Sequence, residues 1–180
     1  IIAFNDSYHG DTFGAMSVGS RSAFTEAFFP FLFDVEFVES PARNADLCLA
    51  QIKALVAQGD VAAIVYEPLV QGAGGMLMYS SEVLDNILSL CQRHEVLSIA
   101  DEVMTGFYRT GEFFASNEGE FSPDILCLSK GLTGGVMAMG VTSCTQEIYD
   151  AFLSDHFMEK TFFHGHSFTA NPLACAVANA

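Results

Sequence analysis

The chain has 180 residues, of which 51% are hydrophobic and 16% charged, with a formal net charge of −15 from 22 acidic and 7 basic residues. That composition belongs to a core-rich globular α/β domain, or a large piece of one, and excludes a disordered chain. The acidity, together with the lack of any Lys/Arg-rich run, argues against binding to nucleic acid or to an anionic membrane surface.

The five cysteines are scattered, without a CxxC pair, in apolar settings. They read as buried free thiols in a reducing, cytoplasmic compartment. No apolar stretch reaches membrane-spanning length. The chain begins without Met on an apolar run and stops inside a helical pattern, so a fragment of a longer protein is expected, without a signal peptide.

Short apolar runs alternate with helical patterns, the signature of βαβ units around a mainly parallel sheet. The first strand is predicted over Ile1–Asn5. Tyr8-His9-Gly10-Asp11-Thr12 follows it, where an aromatic suits stacking on a planar cofactor ring and equally suits a turn with an incidental tyrosine. A strand over Val35–Val38 and a helix over Asn44–Gln58 come next, the helix setting several of Ala45, Leu47, Leu49, Ile52, Leu55 and Val56 on one face. The strand Ala62–Tyr66 runs into Glu67-Pro68 and the glycine-rich Gln71-Gly72-Ala73-Gly74-Gly75. That stretch matches neither GxGxxG nor a phosphate-binding P-loop, and reads as a loop, either cofactor-facing or simply flexible. Ser80-Ser81, followed by Glu82 and Asp85, supplies caps and acids at the start of a helix predicted over Ser80–His94. Strands at Leu97–Ala100, Ile125–Leu128 and Gly140–Ser143, a helix over Gln146–Phe157 and a last helix opened by Asn171-Pro172 complete the pattern.

Ligands of such sheets bind beyond the carboxyl ends of the strands. Glu67, Asp101-Glu102 and Ser129-Lys130 each follow an apolar strand directly, so three polar groups are expected to converge there. Lys130 is one of three lysines and sits in an otherwise apolar or small run, Ile125 to Leu132. An amine kept from water at such a point suits Schiff-base chemistry with a carbonyl cofactor. An aspartate such as Asp101 suits pairing with a protonated ring nitrogen. A lysine for an aldehyde and an aspartate for a pyridinium are the two protein groups that pyridoxal phosphate (PLP) most needs. Arg109, within Gly106-Phe107-Tyr108-Arg109-Thr110-Gly111, fits a substrate carboxylate or an internal acid equally well. His164-Gly165-His166-Ser167 leads to the last helix, where a hydroxyl and backbone N–H groups suit a phosphate. No third ligand is in register with His164 and His166, so no metal is expected.

The strings His9-Gly10-Asp11-Thr12-Phe13-Gly14-Ala15-Met16, Val70-Gln71-Gly72-Ala73-Gly74-Gly75-Met76, Gly106 to Gly111 and Pro123-Asp124-Ile125-Leu126-Cys127-Leu128-Ser129-Lys130 together resemble the class III aminotransferases. These are PLP enzymes of fold type I, and the resemblance runs through the whole chain. Met104, where many members carry Gln, fits the branch serving biotin biosynthesis with S-adenosylmethionine as amino donor.

The resemblance implies a three-layer α/β/α domain with a mainly parallel sheet, residues 1–180 being a partial PLP-binding large domain. The family's N-terminal segment, with a Gly-Ser phosphate loop, and its small C-terminal domain would lie outside. It implies that Lys130 holds the cofactor and moves the proton, that Asp101 pairs the pyridine nitrogen, that Tyr8 and Val103 cover the two ring faces, and that His9 belongs to the cofactor site. Tyr8, Asp11, Arg109 and Gly165 would shape the substrate site. Ser167, where Thr is usual, would bind the phosphate of the neighbouring subunit's cofactor, and His166 stands where Pro is frequent. A homodimer taking a small-molecule amino donor and a keto acceptor is the partner set implied.

Overall fold

Alternation along three short apolar strands builds two cores at once. In the computed structural model, which describes residues 1–180 apart from the side chain of Phe157, β1 (Ile2–Phe4), β3 (Ala63–Tyr66) and β6 (Leu97–Asp101) lie side by side. Ile2, Phe4, Ile64, Tyr66 and Ala100 face one layer, whereas Ala3, Val65 and Ile99 face the other. Every residue of β1 and β3 is buried, as central parallel strands covered on both faces must be.

The main sheet has six strands in the order β2-β1-β3-β6-β7-β8, with β2 spanning Glu36–Val38, β7 Ile125–Leu128 and β8 Val141–Cys144. All neighbours are parallel except β7 and β8, which run antiparallel with Ile125 opposite Cys144. The larger core lies under α2 (Ala45–Val56) and α3 (Ser81–Arg93). Cys48, Ile52 and Val56 recur every fourth residue and put one stripe of α2 against the sheet. Leu84, Ile87, Leu88 and Cys91 do the same from α3. Side chains cap both helices: Asn44 accepts from the Leu47 N–H at 3.0 Å and Ser80 from that of Val83 at 3.4 Å. The opposite core is smaller, with Val18 of α1 (Phe13–Val18) packed against Val65 and Ala3.

The predicted strands and the helices α2 and α3 are present within two residues of their expected limits. Three stretches differ. The helix expected over Gln146–Phe157 stops at Ala151 as α4 and resumes as a single turn, α5 (Phe157–Lys160). The glycine-rich loop is present as the turn of a two-stranded hairpin whose arms, β4 (Val70–Gln71) and β5 (Leu77–Met78), were not expected. Helix α1 was not expected; Thr12 caps it by accepting from the Ala15 N–H. The last helix, α6 (Pro172–Ala178), carries the expected cap, Asn171.

Nor are all five thiols buried. Cys48 and Cys91 are, and burial pushes each thiol up to about 12. Cys127 and Cys175 are half-buried and Cys144 is exposed, because β8 is an edge strand with solvent on most of its surface. No helix among the described residues is long and apolar enough to cross a membrane.

Glu102 closes the long connection from β6 to β7. It is fully buried and accepts four hydrogen bonds: from Thr105 Oγ1 at 2.6 Å, the Ser116 N–H at 2.7 Å, Ser116 Oγ at 2.8 Å and the Ala115 N–H at 3.1 Å. Replacing Glu102 by Gln puts an NH₂ against two of those donors and should lower stability by about 2 kcal/mol. Urea unfolding checks this, and a midpoint equal to that of the unaltered chain would show the carboxylate to be dispensable. Thiol titration of the folded chain should find Cys144 reacting first, with Cys48 and Cys91 silent until denaturant is added. Early labelling of Cys48 would contradict the packing of α2.

Candidate active site

Four adjacent parallel strands, β1, β3, β6 and β7, end on the same edge of the sheet, and each delivers polar groups to it. The turn after β1 brings Tyr8 and His9, the end of β3 brings Glu67, β6 ends on Asp101, and β7 is followed by Ser129 and Lys130. The convergence expected at the strand ends is therefore present, with one more strand than anticipated.

Asp101 is held at both oxygens. One accepts the Val103 N–H at 3.0 Å; the other lies 2.8 Å from His9 Nδ1. The two side chains are 11% and 4% exposed. Glu67 sits beside this pair. Its carboxylate accepts the Tyr8 N–H at 3.1 Å and the Gly72 N–H at 2.8 Å. Burial pushes the Glu67 carboxyl above its usual range, opposed by those two N–H groups and by His9, while the charge of Asp101 adds to the rise. At Gly72, a Cβ would meet the Met104 thioether, which packs against the bare backbone of the hairpin there and would have to shift to make room.

Lys130 opens a short 3₁₀ turn, Lys130–Thr133, with φ at +44°. That value strains a non-glycine residue. Neighbouring contacts hold it: Ser129 Oγ donates to the Met139 carbonyl at 2.7 Å, and a Cβ at Gly131 would lie 2.9 Å from the Phe107 ring. The surroundings differ from the dry pocket expected. Lys130 is exposed, since the preceding strand is only half-buried, and the amine has no ion-pair partner among the described residues.

Tyr8 is 43% exposed. Partial burial and a hydrogen bond from its hydroxyl to Asp11 push the phenol upward. Val103 is half-buried two residues beyond Asp101, whose carboxylate accepts its N–H.

Arg109 and the 164–167 segment lie elsewhere. Arg109 is exposed and lines a groove of about 760 Å³ with Leu69, Met76, Tyr79, Met104 and Glu118, a lining that includes none of Tyr8, Asp101 or Lys130. Gly165 and Ser167 are exposed. Their neighbours His164 and His166 line a cleft of about 890 Å³ that Ser129 and Met139 close from the other side. The start of α6 offers a phosphate less than expected, because Asn171 already accepts the Leu173 and Ala174 N–H groups at 3.0 and 3.3 Å. Sequence reasoning missed the His9–Asp101 contact and the double hold of Glu67 on Tyr8 and Gly72. The partners of the first stand 92 residues apart, and no local pattern announces such a pair.

The model of the aminotransferase class-III family matches residues 1–180. The chain is 50% identical to adenosylmethionine-8-amino-7-oxononanoate aminotransferase of Synechococcus elongatus, over 99% of this chain and 44% of that protein. It is 46% identical to the protein of the same name from Geobacter sulfurreducens, over 98% and 42%. The crystal structure of the Methanocaldococcus jannaschii adenosylmethionine-8-amino-7-oxononanoate aminotransferase superimposes with a TM-score of 0.91 at 38% identity, covering 99% of this chain and 42% of that one. This chain therefore spans less than half the length of the relatives it matches. The shared architecture is that of the fold type I PLP-transferases. Matched over its whole length by that model, and carrying an anchored aspartate at the end of β6 and an unpaired lysine just after the neighbouring β7, the chain belongs to the class-III aminotransferase family.

Proposed function

We propose that the complete protein transfers the amino group of S-adenosylmethionine to 8-amino-7-oxononanoate, giving 7,8-diaminononanoate in biotin synthesis, as a cytoplasmic PLP enzyme. The observation that carries the chemistry is Asp101, gripped by His9 and Val103, one strand away from the unpaired Lys130. The substrates come from the relatives of that name at 50% and 46% identity.

Class-III aminotransferases are PLP-dependent, and the residues present suit that group. Asp101 has one partner at each oxygen, and a carboxylate has lone pairs for about four donors, so acceptor capacity remains for a ring N–H. Lys130 has an uncommitted amine, and Tyr8 an accessible ring. Bound there, the cofactor supplies an aldehyde for the amino group and a pyridinium ring that draws electrons from the carbon losing its proton. Lys130 would hold the cofactor by its amine and, once released, carry the proton between the substrate Cα and the cofactor's C4′. Asp101 would keep the ring nitrogen protonated, with Tyr8 and Val103 on the two faces.

Asp11, hydrogen-bonded to Tyr8, and Arg109 would shape the substrate side. Gly165 and the Ser167 hydroxyl would serve the site of a second subunit in a homodimer. The 65–73% exposure of Phe162, Phe163 and Phe168 around them supports such a covering partner. The free cysteines suit a reducing compartment.

In the complete protein, Lys130→Ala should abolish the visible band that borohydride traps and lower turnover by roughly 10²–10⁴-fold or more. A trappable band in that variant would remove Lys130 from the role. Among amino donors, S-adenosylmethionine should give a kcat/KM at least about tenfold above any diamine or ω-amino acid, a margin of about 1.4 kcal/mol. Preference for a diamine or an ω-amino acid would move the protein to another branch of the family.

A further inference from the structure

We infer that Gln71 is a positioning residue for Tyr8: from the end of β4 it locks the turn that carries Tyr8, and so sets the side of the site that Tyr8 forms. This deepens the PLP reading above and rests on it. Gln71 is fully buried, and both polar atoms of its side chain are used. The amide N–H donates to the Asn5 carbonyl at 2.8 Å, and the side-chain oxygen accepts from Ser40 Oγ. A main-chain carbonyl can only accept, which fixes the orientation of the amide. Asn5 follows β1 and Ser40 lies just beyond β2, so one side chain joins the exits of two strands to the hairpin. Ser40 is fully enclosed too, and its hydroxyl has no water to replace the amide.

The turn from Asn5 to Tyr8 is held residue by residue. Asp6 stands at φ +63°, a left-handed backbone that a non-glycine residue keeps only where its surroundings impose it. The hairpin imposes it from one side, since a Cβ at Gly74 would lie 2.2 Å from the Asp6 carbonyl oxygen and the two backbones are in direct contact. Arg43 Nε, donating to the Asp6 carboxylate, holds it from the other. Ser7 Oγ donates to the Val18 carbonyl at 3.1 Å. Tyr8 is reached through Glu67, which takes the Tyr8 N–H on one oxygen and the Gly72 N–H on the other.

Gln71, Gly74 and Gly72 therefore meet Asn5, Asp6 and, through Glu67, Tyr8. Two short chain segments lie against each other along their length, and Gln71 is the hydrogen-bonding side chain that the hairpin itself contributes. Tyr8 is exposed, so the turn beneath it, more than packing around its ring, decides where the ring stands. A ring held ready over the site spares the cofactor the cost of ordering it on binding.

The test is a double-mutant cycle on the complete protein, read as the dissociation constant of PLP and the visible circular dichroism of the bound cofactor. Gln71→Met keeps the length of the side chain and removes both hydrogen bonds. Tyr8→Ala removes the ring that the turn places. Gln71→Met should weaken PLP binding about fivefold, the size of one hydrogen bond, and reduce the dichroism of the cofactor band. In the Tyr8→Ala background the same change should alter binding by less than about twofold, because residues that act through one another are not additive. Equal weakening in both backgrounds, or none in the presence of Tyr8, would leave Gln71 a structural residue and overturn the positioning role. Should Gln71→Met fail to fold, Gly74→Ala takes its place. That methyl removes no hydrogen bond but forces Asp6 to move, and its cycle with Tyr8→Ala is read by the same criteria. Failure of the PLP reading looks different: the complete protein then forms no borohydride-trappable band with PLP, and both fall. If the band forms and Tyr8→Ala binds PLP as tightly as the unaltered protein, the positioning role falls while Lys130 and Asp101 keep theirs.

Discussion

Parallel pairing of β1, β3, β6 and β7 is the constraint on which the rest depends. Parallel strands point their carboxyl ends one way, so whatever follows each strand is delivered to a common edge. Tyr8 and His9, Glu67, Asp101 and Lys130 meet there for that reason, although they are spread over most of the chain. A single antiparallel strand among these four would send its residue to the opposite edge. The one antiparallel strand of the main sheet, β8, lies outside the set, at the edge.

Alternation within a strand then separates groups that are adjacent in sequence. Asp101 and Glu102 are consecutive carboxylates with different environments. Asp101 keeps some contact with solvent and a side-chain partner from β1, whereas Glu102 is fully enclosed and spends its oxygens on Thr105, Ala115 and Ser116. One is placed for a ligand and the other for the stability of the loop beside it. Burying a carboxylate is tolerable only when its lone pairs are filled, and the four donors around Glu102 meet that condition. The same alternation divides the apolar residues of β1 and β3 between the two cores.

Much of this was legible in the sequence. Short apolar runs punctuated by capped helices gave the strands, and β7 was placed at its observed limits, because a β-strand and an amphipathic helix leave local periodicities. The polar residue after each strand was legible too, as Lys130 and Asp101 illustrate. The errors fell where local pattern is weak. The apolar run through Phe152 and Leu153 reads as a continued helix, yet α4 ends at Ala151, both residues are exposed, and the Phe152 ring meets that of Phe162 at 5.3 Å instead of a core. The glycines at 72, 74 and 75 read as a loop and do form the turn, but the two-residue strands on either side of it, β4 and β5, are too short to leave a period in the sequence.

By itself, then, the sequence determined the order of elements, the strand-end residues and their chemical kinds, because these depend on side chains and near neighbours. It also carried the motifs by which the chain resembles the class-III aminotransferases. Tertiary structure alone decided which strands are adjacent, that His9 reaches Asp101 across β3, that Glu67 serves two backbone segments, and that Arg109 stands in a separate groove. Those facts join residues tens of positions apart, and only the packing of the whole sheet sets such distances.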